Sequence, residues 1–296
     1  MKVAIFGRIT DNTDKASLDI FFSDLKKRGI RFSLYRNYQR QLSRSYPELL
    51  SDQDYQVFDQ REEIGECKFV YCLGGDGTVL EAVRFVGPMQ TPIIGVNFGR
   101  FGYLASTSKH DVVKATEEVL NNAYDIEERS LLEVASTIEP KLFGADNFGI
   151  NDITIHKSNT NEMITVHTYL NGEFLNSYWG DGLIVATPTG STAYSLSCGG
   201  PIIFPKSNVL VITPVAPHSL TVRPVIIPDD WVVSFRIESR SGEALVALDT
   251  RTERVPSGTQ IAVKRAGFPA RLVRVSPTKY IDNLRNSLMW GSDQRN

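Results

Sequence analysis

Apolar residues follow two different rhythms along this chain. Over the first 126 residues, short apolar runs alternate with segments whose apolar positions recur every three or four residues. Residues 2–6, KVAIF, are mostly apolar with little alternation, as a strand buried on both faces should be. In residues 14–28, Leu18, Phe21, Phe22 and Leu25 fall at helical spacing on one face, and Gly29 can close that helix in the left-handed region. Residues 30–34, 69–73 and 93–97 read as further buried strands, and residues 79–86 as a helix. An amphipathic helix is predicted over 111–122, with Val112, Val113, Ala115, Val119 and Leu120 inward. This alternation predicts an α/β domain with a parallel sheet. Residues 38–54 are polar and irregular, Pro47 breaks any long helix there, and no chemistry is legible in them.

The rhythm changes near Ile126. From Leu131 onward, short strand-like runs occupy 131–138, 150–156, 164–170, 173–178, 183–187, 209–213, 231–238, 244–248, 260–264 and 271–275. Asn171-Gly172 between two of these is a two-residue hairpin signal. In the tail 281–290, Ile281, Leu284 and Leu288 stand at helical spacing, and this helix is expected to return to the first domain. The expected organisation is an α/β nucleotide-binding domain over 1–126, joined by 276–296, and an all-β domain over 127–275.

Composition removes several function classes. A length of 296 residues suits two domains of ~150 residues each. The net charge of −2 gives no basic footprint, which argues against nucleic acid as a partner. No apolar run approaches the ~18 residues that a membrane span needs, and the first residues read as a strand rather than a leader. Cys67, Cys72 and Cys198 are few, odd in number and not spaced as metal ligands, which fits a reducing, cytoplasmic setting. No spacing of His, Cys and Asp suggests a metal held by the protein, and no Walker-type loop or Gly-x-Ser-x-Gly elbow is present.

Two segments carry candidate chemistry. Gly74-Gly75-Asp76-Gly77-Thr78 lies between a strand and a helix, an order that aims backbone N–H groups at an anion. Asp76 would repel a phosphate, so it reads as a proton acceptor, as a contact to a metal carried on phosphates, or as a local hydrogen-bonding group of a tight turn. The second segment, residues 179–201, WGDGLIVATPTGSTAYSLSCGGP, encloses a buried run at 183–186 among Gly, Ser, Thr and Pro. Its approachable backbone and its Tyr194 ring suit a nucleotide; the alternative is a structural turn of the all-β domain.

The pentapeptide resembles the nucleotide loop of a kinase superfamily that includes NAD kinases, 6-phosphofructokinases and the diacylglycerol and sphingosine lipid kinases. Gly180-Asp181-Gly182-Leu183, with residues 188–197 and Gly199-Gly200-Pro201, resembles the long signature of NAD kinases. Asn151-Asp152 resembles that family's Asn-Glu pair. Pro217-His218-Ser219-Leu220 with Arg223-Pro224, and Glu127-Glu128-Arg129, resemble further blocks, so the likeness covers nearly the whole chain. The chain departs from the pattern at Asp152, where Glu is usual, and at Asp249-Thr250-Arg251, where many members have Asp-Gly-Gln. A third departure is Phe101, in place of a more usual Leu.

The resemblance implies transfer of the γ-phosphoryl group of ATP to the 2′-hydroxyl of the adenosine ribose of NAD. Gly75, Gly77 and Thr78 would cradle phosphates, and Asp76 would be the general base. Asn151 and Asp152 would hold sugar or base edges, and Asp181 would accept from an amide or amino group. Thr189, Thr192, Ala193, Tyr194 and Ser197 complete the nucleotide-binding set, and His218 would either contact a phosphate or bond the backbone of its own turn. It also implies Mg2+ delivered with ATP, NAD binding by the all-β domain, and a homodimer or homotetramer. Two alternatives remain at this point. A lipid kinase would share Gly74–Thr78 but lack the second segment, and a non-catalytic NAD-binding regulator would keep the pocket and lose the transfer step.

Overall fold

A computed structural model of the chain describes residues 1–9, 14–51, 53–99, 102–275 and 280–290, without the side chains of 286 and 287. Phe101 lies outside the described residues. In chain order the first elements are β1 (Lys2–Gly7), α1 (Lys15–Lys27), β2 (Arg31–Tyr35), α2 (Arg36–Ser45) and β3 (Tyr55–Phe58). They are followed by β4 (Phe69–Gly74), α3 (Asp76–Val86), β5 (Ile93–Asn97), β6 (Thr107–Ser108), α4 (Val112–Leu120) and β7 (Tyr124–Arg129). A run of strands comes next: β8 (Leu132–Ser136), β9 (Phe148–Gly149), β10 (Asp152–Lys157), β11 (Ile164–Leu170), β12 (Glu173–Gly180) and β13 (Gly182–Ala186). After the short helix α5 (Tyr194–Ser197) come β14 (Val209–Val215), β15 (Val225–Pro228), β16 (Val233–Glu238), β17 (Glu243–Leu248), β18 (Arg251–Pro256) and β19 (Gln260–Arg265). The last elements are β20 (Ala270–Val275) and α6 (Tyr280–Leu288).

The chain divides into two compact units, residues 1–128 with 271–296, and residues 129–270. The first is built on a largely parallel sheet in the order β3-β2-β1-β4-β5-β20-β7, with β6 paired to β5. The chain builds outward from β1 in one direction as far as β3, then restarts on the other side at β4. The β1–β4 junction is therefore a topological switch point, and the crevice beyond the carboxyl ends of such strands is where open α/β sheets bind ligands. β4 delivers Gly74 to that end.

Helix α1 follows the expected pattern in detail. Asp14 caps it by accepting from Ala16 N at 3.0 Å and Ser17 Oγ at 2.8 Å, and Leu18, Phe21, Phe22 and Leu25 are buried. At its end, Gly29 has φ +64°, and the amides of Gly29 and Ile30 donate back to Lys26 O and Leu25 O, closing a Schellman motif. Three details differ from the sequence reading. Residues 36–45 form a helix that buries only Tyr38 and Leu42. Leu120, expected inward, is 37% exposed, because α4 ends there. Residues 271–275 are a strand, but β20 joins the first unit's sheet, between β5 and β7.

The second unit holds two six-stranded antiparallel sheets, β15-β14-β13-β10-β17-β18 and β12-β11-β16-β19-β8-β9. Alternate residues of both, among them Ile153, Ile155, Val185, Val166, Phe235 and Val263, form one shared core. Asn171 and Gly172 take φ +49° and +86°, the two positive values a primed hairpin turn requires. β13 is buried along its whole length, which accounts for the apolar run inside an otherwise polar segment.

Candidate active site

In the first unit, β4 ends at Gly74, Gly75 is the N-cap of α3, and Asp76, Gly77 and Thr78 form its first turn. The opening amides of a helix have no intrahelical acceptor, so this turn suits an anion. The glycines differ in what requires them. A Cβ on Gly74 would stand 2.8 Å from Thr78 Cβ, so that position is set by packing. Gly75 has an extended backbone that any residue adopts, and a Cβ on Gly75 or Gly77 would meet none of the described residues within 4 Å. Glycine at 75 and 77 therefore supplies room for a group from outside the fold. Thr78 shapes the turn: its N–H donates to Gly75 O at 3.0 Å and its side chain is buried.

The Asp76 carboxylate is held by the loop after β5. Tyr103 N donates to Oδ2 at 2.7 Å, and Leu104 N and Ala105 N donate to Oδ1 at 3.0 and 2.9 Å. Gly102 lies so close that a Cβ would stand 2.6 Å from Oδ2. A carboxylate oxygen accepts about two hydrogen bonds in its plane, so Oδ1 is fully engaged and Oδ2 keeps one position free. Asp76 is thus a local hydrogen-bonding group with one acceptor position left over.

In the second unit, the residues leading into β10 are held from three sides. Asp249, in the β17–β18 turn with φ +51°, accepts from Ile150 N, Asn151 N and Asp152 N at 3.0, 2.8 and 3.3 Å. Thr187 N donates to Asn151 O at 2.9 Å and Thr187 Oγ1 to Ile150 O at 2.5 Å. Gly190 presses on the same turn, where a Cβ would stand 2.8 Å from Asn151 Cα and collide with its carbonyl. The half-buried Asn151 side chain makes no hydrogen bond among the described residues and is available to a ligand.

Beyond this turn, Ser191 Oγ donates to Pro188 O at 2.7 Å and accepts from Ile203 N at 2.9 Å, while Ser195 and Thr213 share a hydroxyl hydrogen bond of 2.8 Å. These bonds pin the segment so that Tyr194, 41% exposed, and Ser197 stand outward, with Thr192 and Ala193 half-buried beside them. Burial raises the Tyr194 phenol, helped by Cys198, and the Asp181 and Asp152 carboxylates act in the same direction, so these groups share one neighbourhood. Three expected ligand contacts have internal partners. Thr189 is buried and accepts from Arg129 Nη1 at 3.1 Å. Asp181 pairs with Lys157 at 2.6 Å. The main-chain N–H of His218 donates to Trp179 O at 2.9 Å, and its exposed ring lies tilted with its centroid 4.2 Å from that of the Trp179 ring.

Asp152 is a strongly perturbed carboxyl of the site. Burial, then the neighbouring Asp249 carboxylate, push it up to about 7, against a smaller downward pull from the Thr154 hydroxyl at 3.2 Å. Burial raises Asp249 as well, although its three amide donors oppose the shift. A carboxyl raised in the folded state binds a proton that the unfolded chain has already released. Its contribution to stability is therefore present below its ordinary value of 3.8 and lost as pH rises to about 7. The loss is on the order of a few kcal/mol. Asp152→Asn should melt above the parent at pH 8 and close to it at pH 4; equal gains at both pH values would refute the assignment.

Sequence reasoning missed Asp249, Lys157 and the 103–105 amides. Asp249 alone left a signal, as an Asp in a two-residue turn whose neighbours depart from the family pattern.

Residues 23–124 match the ATP-NAD kinase N-terminal domain, and residues 150–275 the ATP-NAD kinase C-terminal domain. The NAD kinase of Cytophaga hutchinsonii is 42% identical over 272 residues, covering 92% of each chain. That of Flavobacterium johnsoniae is 39% identical with both chains fully covered. Among solved structures, yeast NADH kinase complexed with NADH superposes with a TM-score of 0.88 at 24% identity, over all of this chain and 89% of that one. An NAD kinase from Archaeoglobus fulgidus in complex with ATP gives 0.72 at 22% identity, over 98% and 99% of the two chains. Those two likenesses concern the fold, whereas the two domain matches and the full-length relatives concern descent, and by them the chain belongs to the ATP-NAD kinase family.

Proposed function

We propose that this protein transfers the γ-phosphoryl group of ATP to the 2′-hydroxyl of the adenosine ribose of NAD, forming NADP and ADP, with Asp76 as proton acceptor. The observation that carries the reading is a helix-opening turn with unfilled space at Gly75 and Gly77, next to a carboxylate fixed by three amides with one acceptor position left. In the transfer, the 2′-oxygen bonds to the γ-phosphorus, the bond from that phosphorus to the bridging oxygen breaks, and ADP leaves. The 2′-hydroxyl proton passes to Asp76. Phosphoryl transfer asks a protein mainly to position groups and neutralise charge. The open turn at the α3 N-terminus supplies both for phosphates.

The second unit is the NAD-binding unit in this reading. Asn151 offers a free amide, Asp152 a carboxyl one methylene shorter than the usual Glu, and Tyr194 an exposed ring for adenine. Thr192, Ala193 and Ser197 border that ring. Thr189 acts indirectly, by anchoring the turn to Arg129. Asp181 reaches the nucleotide with an oxygen not taken by Lys157, and His218 offers its ring to a phosphate. Mg2+ arrives bound to ATP as part of that substrate, and no group of three or more His, Cys, Asp or Glu among the described residues is placed to hold a metal. A homodimer or homotetramer fits the exposure of Leu220, at 89%, and of Phe174 on the second unit. A cytoplasmic setting fits the three free cysteines, and no helix among the described residues is long and apolar enough to cross a membrane.

The test is purified protein with ATP, Mg2+ and NAD, coupled to an NADP-specific dehydrogenase. NADP should form only when all three are present. No signal, with the coupling enzyme shown active on added NADP, would overturn the reading.

A further inference from the structure

The loop that grips Asp76 is itself gripped from its other side. Arg274, on β20, donates through Nη1 to Leu104 O at 3.2 Å and through Nη2 to Tyr103 O at 3.5 Å. Its Nε donates to Glu127 Oε2 on β7 at 2.5 Å, and both side chains are largely buried. The pattern is specific at the level of the peptide group. Tyr103 C=O and Leu104 N–H belong to one planar peptide, and Leu104 C=O and Ala105 N–H to the next. These are the two peptides whose N–H ends meet Asp76 Oδ1. Each therefore accepts from a guanidinium at one end and donates to the carboxylate at the other.

We infer that Arg274 is a positioning residue for Asp76, acting through these two peptide groups to engage Oδ1 fully and leave Oδ2 as the oxygen that takes the proton. The inference rests on the proposed role of Asp76 as proton acceptor. Four features support it. A charged donor on a carbonyl polarises the peptide and strengthens the hydrogen bond at its far end. The planar fork of arginine holds two carbonyls in a fixed relation, which a lysine ammonium on a flexible stem does not do. Glu127 occupies the remaining nitrogen, so the fork cannot swing away. Gly95 of β5 provides the floor: a Cβ there would stand 2.9 Å from Ala105 Cα, so the loop lies directly on the strand. Charge, fork and floor all converge on one carboxylate orientation.

The test is steady-state kinetics of Arg274→Met and Arg274→Lys beside the parent and Asp76→Asn. Arg274→Met should lower kcat about 10- to 100-fold, as misplacement of a reacting group does, with KM for NAD and for ATP within about threefold of the parent. Arg274→Lys should fall between the two. Because Arg274→Met removes the Arg274–Glu127 ion pair, the double variant Glu127→Gln/Arg274→Met is made as well; it removes both charges and should show the same loss of kcat. A merely structural arginine predicts a different result, with melting temperature and KM changing together and kcat per folded molecule within twofold of the parent, and that result overturns the inference. So does full activity in Arg274→Lys. Failure of the underlying reading is separable. If Asp76→Asn keeps turnover, Asp76 is not the proton acceptor, whatever Arg274 shows. If Asp76→Asn is inactive while Arg274→Met keeps its kcat, only the positioning role fails.

Discussion

Asp76→Asn should lower kcat by about 10²–10⁴-fold, the range a positioned proton acceptor contributes. The amide is nearly isosteric, so the turn should survive, but it exchanges one acceptor oxygen for a donor. With Leu104 N and Ala105 N both aimed at Oδ1, the remaining oxygen will face those two, and the NH2 group will point at Tyr103 N. That leaves a donor facing a donor at a part-buried site, a cost of about 1–3 kcal/mol. Melting temperature should therefore fall modestly, while calorimetric binding of NAD to the folded variant stays near the parent value. Turnover within a few-fold of the parent would remove Asp76 from the chemistry.

The second large effect concerns glycines that look alike in sequence. Gly190→Ala drives a methyl into the Asn151 carbonyl, and backbone on both sides leaves little to give way. Overpacking of this kind costs about 1–3 kcal/mol or more, and the displaced Asn151 turn should raise KM for NAD as well. Gly77→Ala should do the opposite to the fold. It sits in the first turn of α3 with open space around it, so alanine should stabilise by up to about 1 kcal/mol. Activity should nonetheless fall, with a raised KM for ATP, because the methyl occupies the room proposed for phosphate. Thermal unfolding and the coupled assay read both effects. Parent-like unfolding of Gly190→Ala, or parent-like kinetics in Gly77→Ala, would contradict the respective role.

What the sequence disclosed was mainly local. Leu18, Phe21, Phe22, Leu25 and Gly29 described α1 down to its terminating turn, because spacing and a single left-handed residue are properties of neighbours. Tyr38 and Leu42 were too thin a stripe to reveal α2 inside a polar segment. Residues 271–275 were legible as a strand but not as a member of the first sheet, since an apolar run reports burial and not its partner. The same limit applied to the site. Gly74–Thr78 stood out because turn chemistry is contiguous. Asp249 binding Asn151 from 98 positions away, and Arg274 binding Tyr103 from 171, had no local signature. Nor could spacing distinguish the glycines set by packing from those facing open space; only the surrounding atoms do that.

The placement of β20 between β5 and β7 has a consequence for biosynthesis. A ribosome synthesises β1 through β7 before the bulk of the second unit, yet among the described residues the neighbour of β7 in its sheet is β20, which emerges only after that unit has been translated. The nascent first unit must therefore wait with the Ile93 end of β5 lacking its β20 partner, while β6 already pairs the Val96–Asn97 end. Arg274, which donates to the Tyr103 and Leu104 carbonyls, arrives on this same late strand, so if it has the proposed positioning role the growing chain carries Asp76 long before that role can be filled.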